Sequence, residues 1–490
     1  GVGERIDRVG RNPHRQRVGG QRIGHLQQQR IHLPVVAGDQ RVDLAQGRGI
    51  DRNHLAFAGG AGNFMEGSFA AESFMQKEKG VKLTKTEAFN RMAAYHHWRV
   101  NAPLMKAFVD NSADMVQWVW DHGVHWKEVK TAWRNNDVLT WHIYPKAGAL
   151  PSTMVKIFKE KGGQLLLSTP AEKLIVENGK VVGVEAKNGS GEKVTVRAKN
   201  VILATGGYNF NVPMVKEMTG IDMIPVGAPG RTGDGINMAM QVGAVGDNIG
   251  PMMINGAFMP AEGEAICNGA NKELRAMFRQ GLLYVDGTGN RFFNEELTID
   301  WPTASNAIAR TGEWTYIVFD AATVRDFSTK GKGYPNPCGN FIQRHQAATQ
   351  LEALLLENEK KGNVFIGSTI EEVAKKAGMD PKILKASADA MTKYAKEGKD
   401  PYYLRAVSEG PFYVVRGKLN TLTSLNGVKV NADLQVLDKN DHVIPGLYAI
   451  GHDAGGMYGD SYDLKVGEGT ASSFAVTSGL MAVKHILSTK

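Results

Sequence analysis

From Gly67 to about Val129 the apolar positions recur at helical spacing. Leu104, Ala107 and Phe108 are followed by Met115, Val116, Val119 and Trp120, with Gly123 where a helix would end. From Gln164 the period shortens to that of strands. The runs Gln164–Ser168, Lys173–Glu177, Lys180–Ala186 and Glu192–Ala198 are expected strands, with Asn178-Gly179 as a hairpin turn and Asn188-Gly189 opening a looser one. The apolar run Val201-Ile202-Leu203-Ala204 is halted by Thr205-Gly206-Gly207. That is the pattern of a strand buried on both faces of a parallel sheet and ending beside a ligand. Residues 209–405 mix short helices, Leu351–Lys360 and Pro381–Lys396, with glycine-rich loops and an expected hairpin over Leu282–Phe293. Strands return after Pro411, through Gly427–Val430 and Val443–Ile450, and a helix of small residues runs from about Thr470 to Leu487. Glycine-rich sequence on both sides of a long middle block predicts a ligand-binding domain interrupted by a second domain.

Length agrees with that division, because 490 residues exceed what one hydrophobic core usually serves. The 57 glycines are about 12% of the chain against a roughly 7% average, as expected where backbone must approach a ligand closely. Two cysteines, Cys267 and Cys338, lack metal or haem spacing, so no metal site is expected. The net charge of +8 is concentrated at one end. Residues 1–60 supply +5 of it through ten arginines, and no lysine precedes Lys77. The rest carries no basic stripe interleaved with aromatics, so nucleic acid is not an expected partner. No apolar run approaches a membrane span and no export signal is visible, which leaves a cytoplasmic location as the default expectation. Residues 1–58, rich in Arg, Gln, Gly and His without periodicity, read as an atypical leader outside the native core, in the manner of an out-of-frame stretch.

Four motifs stand in order: Leu203-Ala204-Thr205-Gly206-Gly207-Tyr208; Thr232-Gly233-Asp234-Gly235-Ile236; Asn290-Arg291-Phe292-Phe293-Asn294-Glu295; and Leu447-Tyr448-Ala449-Ile450-Gly451 with Gly455-Gly456. From Gly67 to Lys490 the chain thereby resembles the fumarate reductase/succinate dehydrogenase flavoprotein family, whose superfamily includes 3-ketosteroid dehydrogenases. The resemblance implies an α/β fold: a discontinuous, Rossmann-like FAD-binding domain with an inserted α+β capping domain, preceded by a leader that does not match. Expected boundaries are 59–208 and 406–490 for the FAD-binding domain and 209–405 for the cap. It implies hydride transfer between flavin N5 and a carbon–carbon bond. Cofactor contacts are expected from Ala204, Thr205, Gly206 and Gly207, from Asp234, and from Gly451 and His452. The opening of the last helix, Gly467-Glu468-Gly469-Thr470, can aim its N–H groups at the charge that reduced flavin gathers at N1 and C2=O.

The chain departs from the family twice. No G-x-G-x-x-G precedes Gly67, although Gly59-Gly60-Ala61-Gly62 is reminiscent of it, and this predicts weakened FAD binding. The family's arginine acid and its carboxylate-binding His and Arg are also missing. The stretch after Glu295 reads Glu296-Leu297-Thr298-Ile299-Asp300-Trp301, Thr423–Gly427 replaces His-Thr-Met-Gly-Gly, and Tyr462 stands where an arginine would. A small dicarboxylate is therefore a poor substrate. Tyr462 becomes the first candidate to exchange a proton with the substrate carbon, Asp300 the second, and Lys465 a cation at the same edge. Arg291 and Glu295 read as a structural pair. The expected function is FAD-dependent reduction or formation of an activated C=C bond in a small unsaturated substrate other than fumarate. Electrons would come from a separate donor protein or a reduced carrier. The alternatives are a 3-ketosteroid-type dehydrogenase and a flavin-less, non-catalytic remnant.

Overall fold

The computed structural model describes residues 35–36, 60–131, 138–258, 271–331, 346–397 and 405–489, all within a compact unit from Leu33 onward. Cys267, Cys338, Gly59 and almost all of the expected leader lie outside the described residues. The strand Val201–Leu203 occupies the middle of a four-stranded sheet. Val443–Ala449 pairs with it in parallel on one side, Leu447 opposite Val201 and Ala449 opposite Leu203. Val35–Val36 pairs in parallel on the other side, and Gln435–Leu437 closes the far edge antiparallel. Two residues of the segment read as leader thus add a short strand to this sheet. Val201, Leu203, Leu447 and Ala449 are buried, as the apolar run required.

The second sheet has six strands built around Phe412–Ser424, which pairs antiparallel with Met252–Phe258, Trp314–Asp320 and Val364–Gly367 and parallel with Ile224–Pro225. Leu283–Val285 extends it beside Trp314–Asp320. The chain therefore stays in this sheet until Ser424. The expected hairpin over Leu282–Phe293 shrinks to a bridge between Val285 and Arg291, because Leu283–Val285 spends its edge on Tyr316–Val318 instead. Helices Pro381–Lys396 and Ile370–Lys376 cover this sheet through an apolar cluster that includes Val373, Leu384, Met391, Val318 and Val414.

Elsewhere the local signals decide. In helix Ala102–Asp121 the Asn101 side chain accepts the Leu104 N–H, Pro103 sits in the first turn, and Leu104, Phe108, Met115, Val116 and Val119 form the buried stripe. Gly123 follows its end at φ +86°. Ala171–Glu177, Lys180–Lys187 and Lys193–Arg197 form an antiparallel meander. Gln164–Ser168 is no strand. Leu166 and Leu167 stand exposed and the segment joins no ladder among the described residues, so a short apolar run alone did not make it one. Likewise Gly427–Val430 makes only isolated bridges. The terminal helix, Thr470–Ser488, packs Phe474 edge-on to Phe108, and Ser473 Oγ donates to Phe69 O at 2.7 Å.

Candidate active site

The expected cofactor residues gather in two groups. The first lies where Val201–Leu203 and Val443–Ala449 end. Asp453, one place beyond the expected residues, ties it together. Its carboxylate accepts the Thr205 N–H at 2.5 Å, the Gly207 N–H at 3.0 Å and the Thr205 hydroxyl at 2.9 Å. Burial raises the pKa of this carboxyl, against the pull of those N–H bonds. Gly206 and Gly207 take φ values of +87° and +84°, and a side chain on Gly207 would collide with the Ser424 hydroxyl. The Thr232–Gly235 loop closes against the same turn, with Gly233 N–H donating to Gly207 O at 3.0 Å and Gly235 N–H to Thr205 Oγ1 at 3.1 Å. Asp234 opens the helix Asp234–Gln241, and its carboxylate accepts the Thr232 hydroxyl at 2.9 Å. Ala204 is exposed at the edge of the group. His452 follows Gly451, and its Nδ1 is buried with no hydrogen-bond partner among the described residues.

The second group surrounds the start of the terminal helix. Tyr462 lies buried with its phenolic oxygen at that start, accepting the Gly469 N–H at 2.8 Å. Burial pushes its pKa up to about 12, so the phenol stays protonated at neutral pH. Tyr458 Oη donates to Thr470 Oγ1 at 3.2 Å. The rings of Trp301 and Tyr462 lie nearly parallel, 18° apart, with centroids 6.5 Å apart. Asp300 is buried just ahead of helix Trp301–Ala309, and Tyr95 Oη donates to its Oδ1 at 3.1 Å. Tyr95 Oη also lies 3.1 Å from Thr303 Oγ1 and from Tyr462 O. Lys465 Nζ stands 3.7 Å from Asp300 Oδ2 and 5.7 Å from the Tyr95 ring centre. Burial raises the Asp300 pKa more than Thr303, Lys465 and Tyr95 lower it. Asp463 accepts the N–H groups of Lys465, Val466 and Gly467, and burial lifts its pKa to about 6. Glu468 is buried in the same turn.

Tyr462 and Asp300, chosen from two separate departures in sequence, and Lys465, chosen as a cation at the same edge, therefore meet in one cluster. Tyr95, Asp453, Asp463 and Trp301 were missed. None sits in a recognisable motif; Tyr95 reaches Asp300 across 205 positions and Asp453 reaches Thr205 across 248. The Arg291–Glu295 pair is present, Nε to Oε1 at 2.8 Å, with Glu295 fully buried. A groove of about 680 Å³ lies elsewhere, between Asn290–Asn294 and helix Pro381–Lys396, and none of the expected site residues lines it.

The terminal helix joins the two groups. Gly451 N–H donates to Ser478 Oγ at 3.0 Å, eight residues beyond Thr470, which is about 12 Å along the helix at ~1.5 Å per residue. The glycine turns, the helix N–H groups and the open Nδ1 of His452 suit a polar dinucleotide.

The FAD binding domain family model matches residues 42–465. The vinyl phenol reductase of Lactiplantibacillus plantarum is 30% identical over 443 residues, covering 87% of this chain and 89% of that protein. The NADH:fumarate oxidoreductase of Klebsiella pneumoniae is 28% identical over 80% of this chain, which spans only 40% of that protein. Among solved structures, the 3-ketosteroid delta1-dehydrogenase from Sterolibacterium denitrificans superposes with a TM-score of 0.67 at 19% identity, over 88% of this chain and 93% of that one. The chain belongs to the fumarate reductase/succinate dehydrogenase family of FAD-binding flavoproteins. It is a flavin-dependent oxidoreductase acting on CH–CH groups, with FAD as its cofactor. No described helix is long and apolar enough to cross a membrane.

Proposed function

We propose that this chain reduces an activated carbon–carbon double bond carried by a flat, weakly acidic substrate of the alkenyl-arene kind. The stacked pair of Trp301 and Tyr462 carries this reading, since it sets an aromatic wall beside the proposed proton donor that suits a conjugated ring. Two further facts support it. The nearby cations are already engaged, Lys465 with Asp300 and Arg279 over the face of Trp301, which disfavours a dicarboxylate. The relative matched over nine-tenths of its length is a vinyl phenol reductase.

Ala204–Gly207, Asp234, Gly451 and His452 would hold the dinucleotide, and Gly467–Thr470 would face its ring. Bound flavin supplies a hydride acceptor and donor at N5. Tyr462 is proposed to give its phenolic proton to the substrate carbon next to the one that receives hydride. Asp300, Tyr95 and Lys465 form a polar cluster beside it that would hold protons in reserve, Tyr95 Oη meeting the Tyr462 backbone carbonyl rather than its phenol. A separate protein or small carrier supplies the electrons.

The 3-ketosteroid-type alternative needs a tyrosine that removes a proton. With its pKa raised to about 12, Tyr462 is a neutral phenol at neutral pH and lacks the phenolate that such a base would use. Stopped-flow reoxidation of the reduced, FAD-loaded chain separates these readings. A vinyl phenol is expected to reoxidise the flavin at least tenfold faster than fumarate. Faster reoxidation by fumarate, or steroid oxidation by the oxidised enzyme with no reaction of the vinyl phenol, would overturn the proposal.

A further inference from the structure

Arg231, directly before the Thr232–Gly235 loop, is 5% exposed. Its Nε donates to Ala228 O at 2.9 Å, its Nη2 donates to Val226 O at 3.1 Å, and its guanidinium lies 5.6 Å from the Phe210 ring centre. Among the described residues no carboxylate pairs with it, and burial draws its pKa down to about 9. Such a buried, unpaired cation is costly unless something anionic meets it. His452 stands across the same turn with a buried, unpartnered Nδ1, its pKa lowered to about 3 by burial and by the Arg231 charge. A Cβ on Gly206 would lie 3.2 Å from the Arg231 stem, and one on Gly207 would lie 3.2 Å from His452 Cβ. The two side chains thus bracket the glycine turn.

That turn sits at the carboxyl ends of the parallel strands, the edge where open α/β sheets receive nucleotides. We infer that Arg231 binds a phosphate oxygen of the FAD diphosphate, with neutral His452 donating a second hydrogen bond from Nδ1. Guanidinium and phosphate match in charge and in forked geometry. The assignment stands apart from the substrate reading, because neither residue touches the Tyr462 group.

The test compares FAD with riboflavin, which lacks phosphate, by flavin fluorescence quenching on the full chain stripped of flavin. Arg231→Met is expected to weaken FAD at least tenfold and leave riboflavin within twofold, with Arg231→Lys between the two. Rising salt should weaken FAD binding to the native chain and leave riboflavin unmoved. Equal loss for both flavins, or no loss for either, overturns the assignment. So does unchanged FAD affinity with weakened binding of cinnamate to the loaded enzyme, which would give Arg231 to a substrate carboxylate. If Arg231→Met does not fold, Arg231→Lys and the native salt dependence decide: a salt-independent FAD affinity contradicts the inference.

Discussion

The phenolic oxygen of Tyr462 lies 2.8 Å from the Gly469 nitrogen and accepts its N–H, so one tyrosine and one glycine bring the proposed proton donor to the helix start expected to face the flavin. Gly469 takes φ +80°, and a Cβ there would stand 2.7 Å from Trp141 Cδ1 and 2.9 Å from Phe69 N. Gly469→Ala therefore meets strain and collision together. It is expected to cost about 2–4 kcal/mol of stability and to release flavin. Urea denaturation and flavin absorbance check both; a variant as stable and as yellow as the native chain would show that the close approach is not required.

Asp453 holds the glycine turn by accepting two N–H groups and a hydroxyl. Asp453→Ala leaves those donors buried and unpaired, at about 1–3 kcal/mol for each group not reached by water. Loss of about 2–4 kcal/mol is expected, with FAD affinity falling by tenfold or more. Isothermal titration with FAD and a denaturation curve are the measurements. Unchanged affinity would mean that the turn keeps its shape without the carboxylate.

Asp463 makes stability depend on pH. Its folded pKa of about 6 exceeds the ordinary carboxylate value, so the protonated form is favoured on folding. The resulting stabilisation is complete below about pH 4 and is lost as pH rises through about 6. Relative to Asp463→Asn, the native chain is expected to lose about 3 kcal/mol of its advantage between pH 4 and pH 7. Urea midpoints for both proteins across that range decide it. An advantage that stays level or grows with pH contradicts the burial argument.

Burial raises the Asp300 pKa against the pull of Thr303, Lys465 and Tyr95, and in the proposal its carboxyl exchanges protons with the site. Activity should then fall as pH rises through its pKa. In Asp300→Asn that alkaline limb should vanish and turnover drop at least tenfold, with flavin content unchanged. A pH–rate profile of the same shape in both proteins would remove Asp300 from the proton path.

The parts legible in sequence were those encoded locally. The run from Val201 to Gly207 announced a buried parallel strand and its turn, because apolar continuity followed by glycine is a short-range signal. The Asn101 cap and the apolar stripe from Leu104 to Val119 did the same for the long helix. Where partners decide, the reading failed. Gln164–Ser168, read as a β-rich run, joins no ladder among the described residues, and Gly427–Val430 makes only isolated bridges. Tyr462 and Asp300 were found by what they replace, and Lys465 by its place beside them in sequence. Tyr95 and Asp453 replace nothing recognisable and are joined to the site only by folding.

The central claim is that Tyr462 gives the proton while the flavin is held by other residues. Reoxidation of reduced, FAD-loaded Tyr462→Phe by a vinyl phenol tests it most directly. The expected result is a rate at least tenfold below native at equal flavin content; a native rate at equal flavin content would contradict the account.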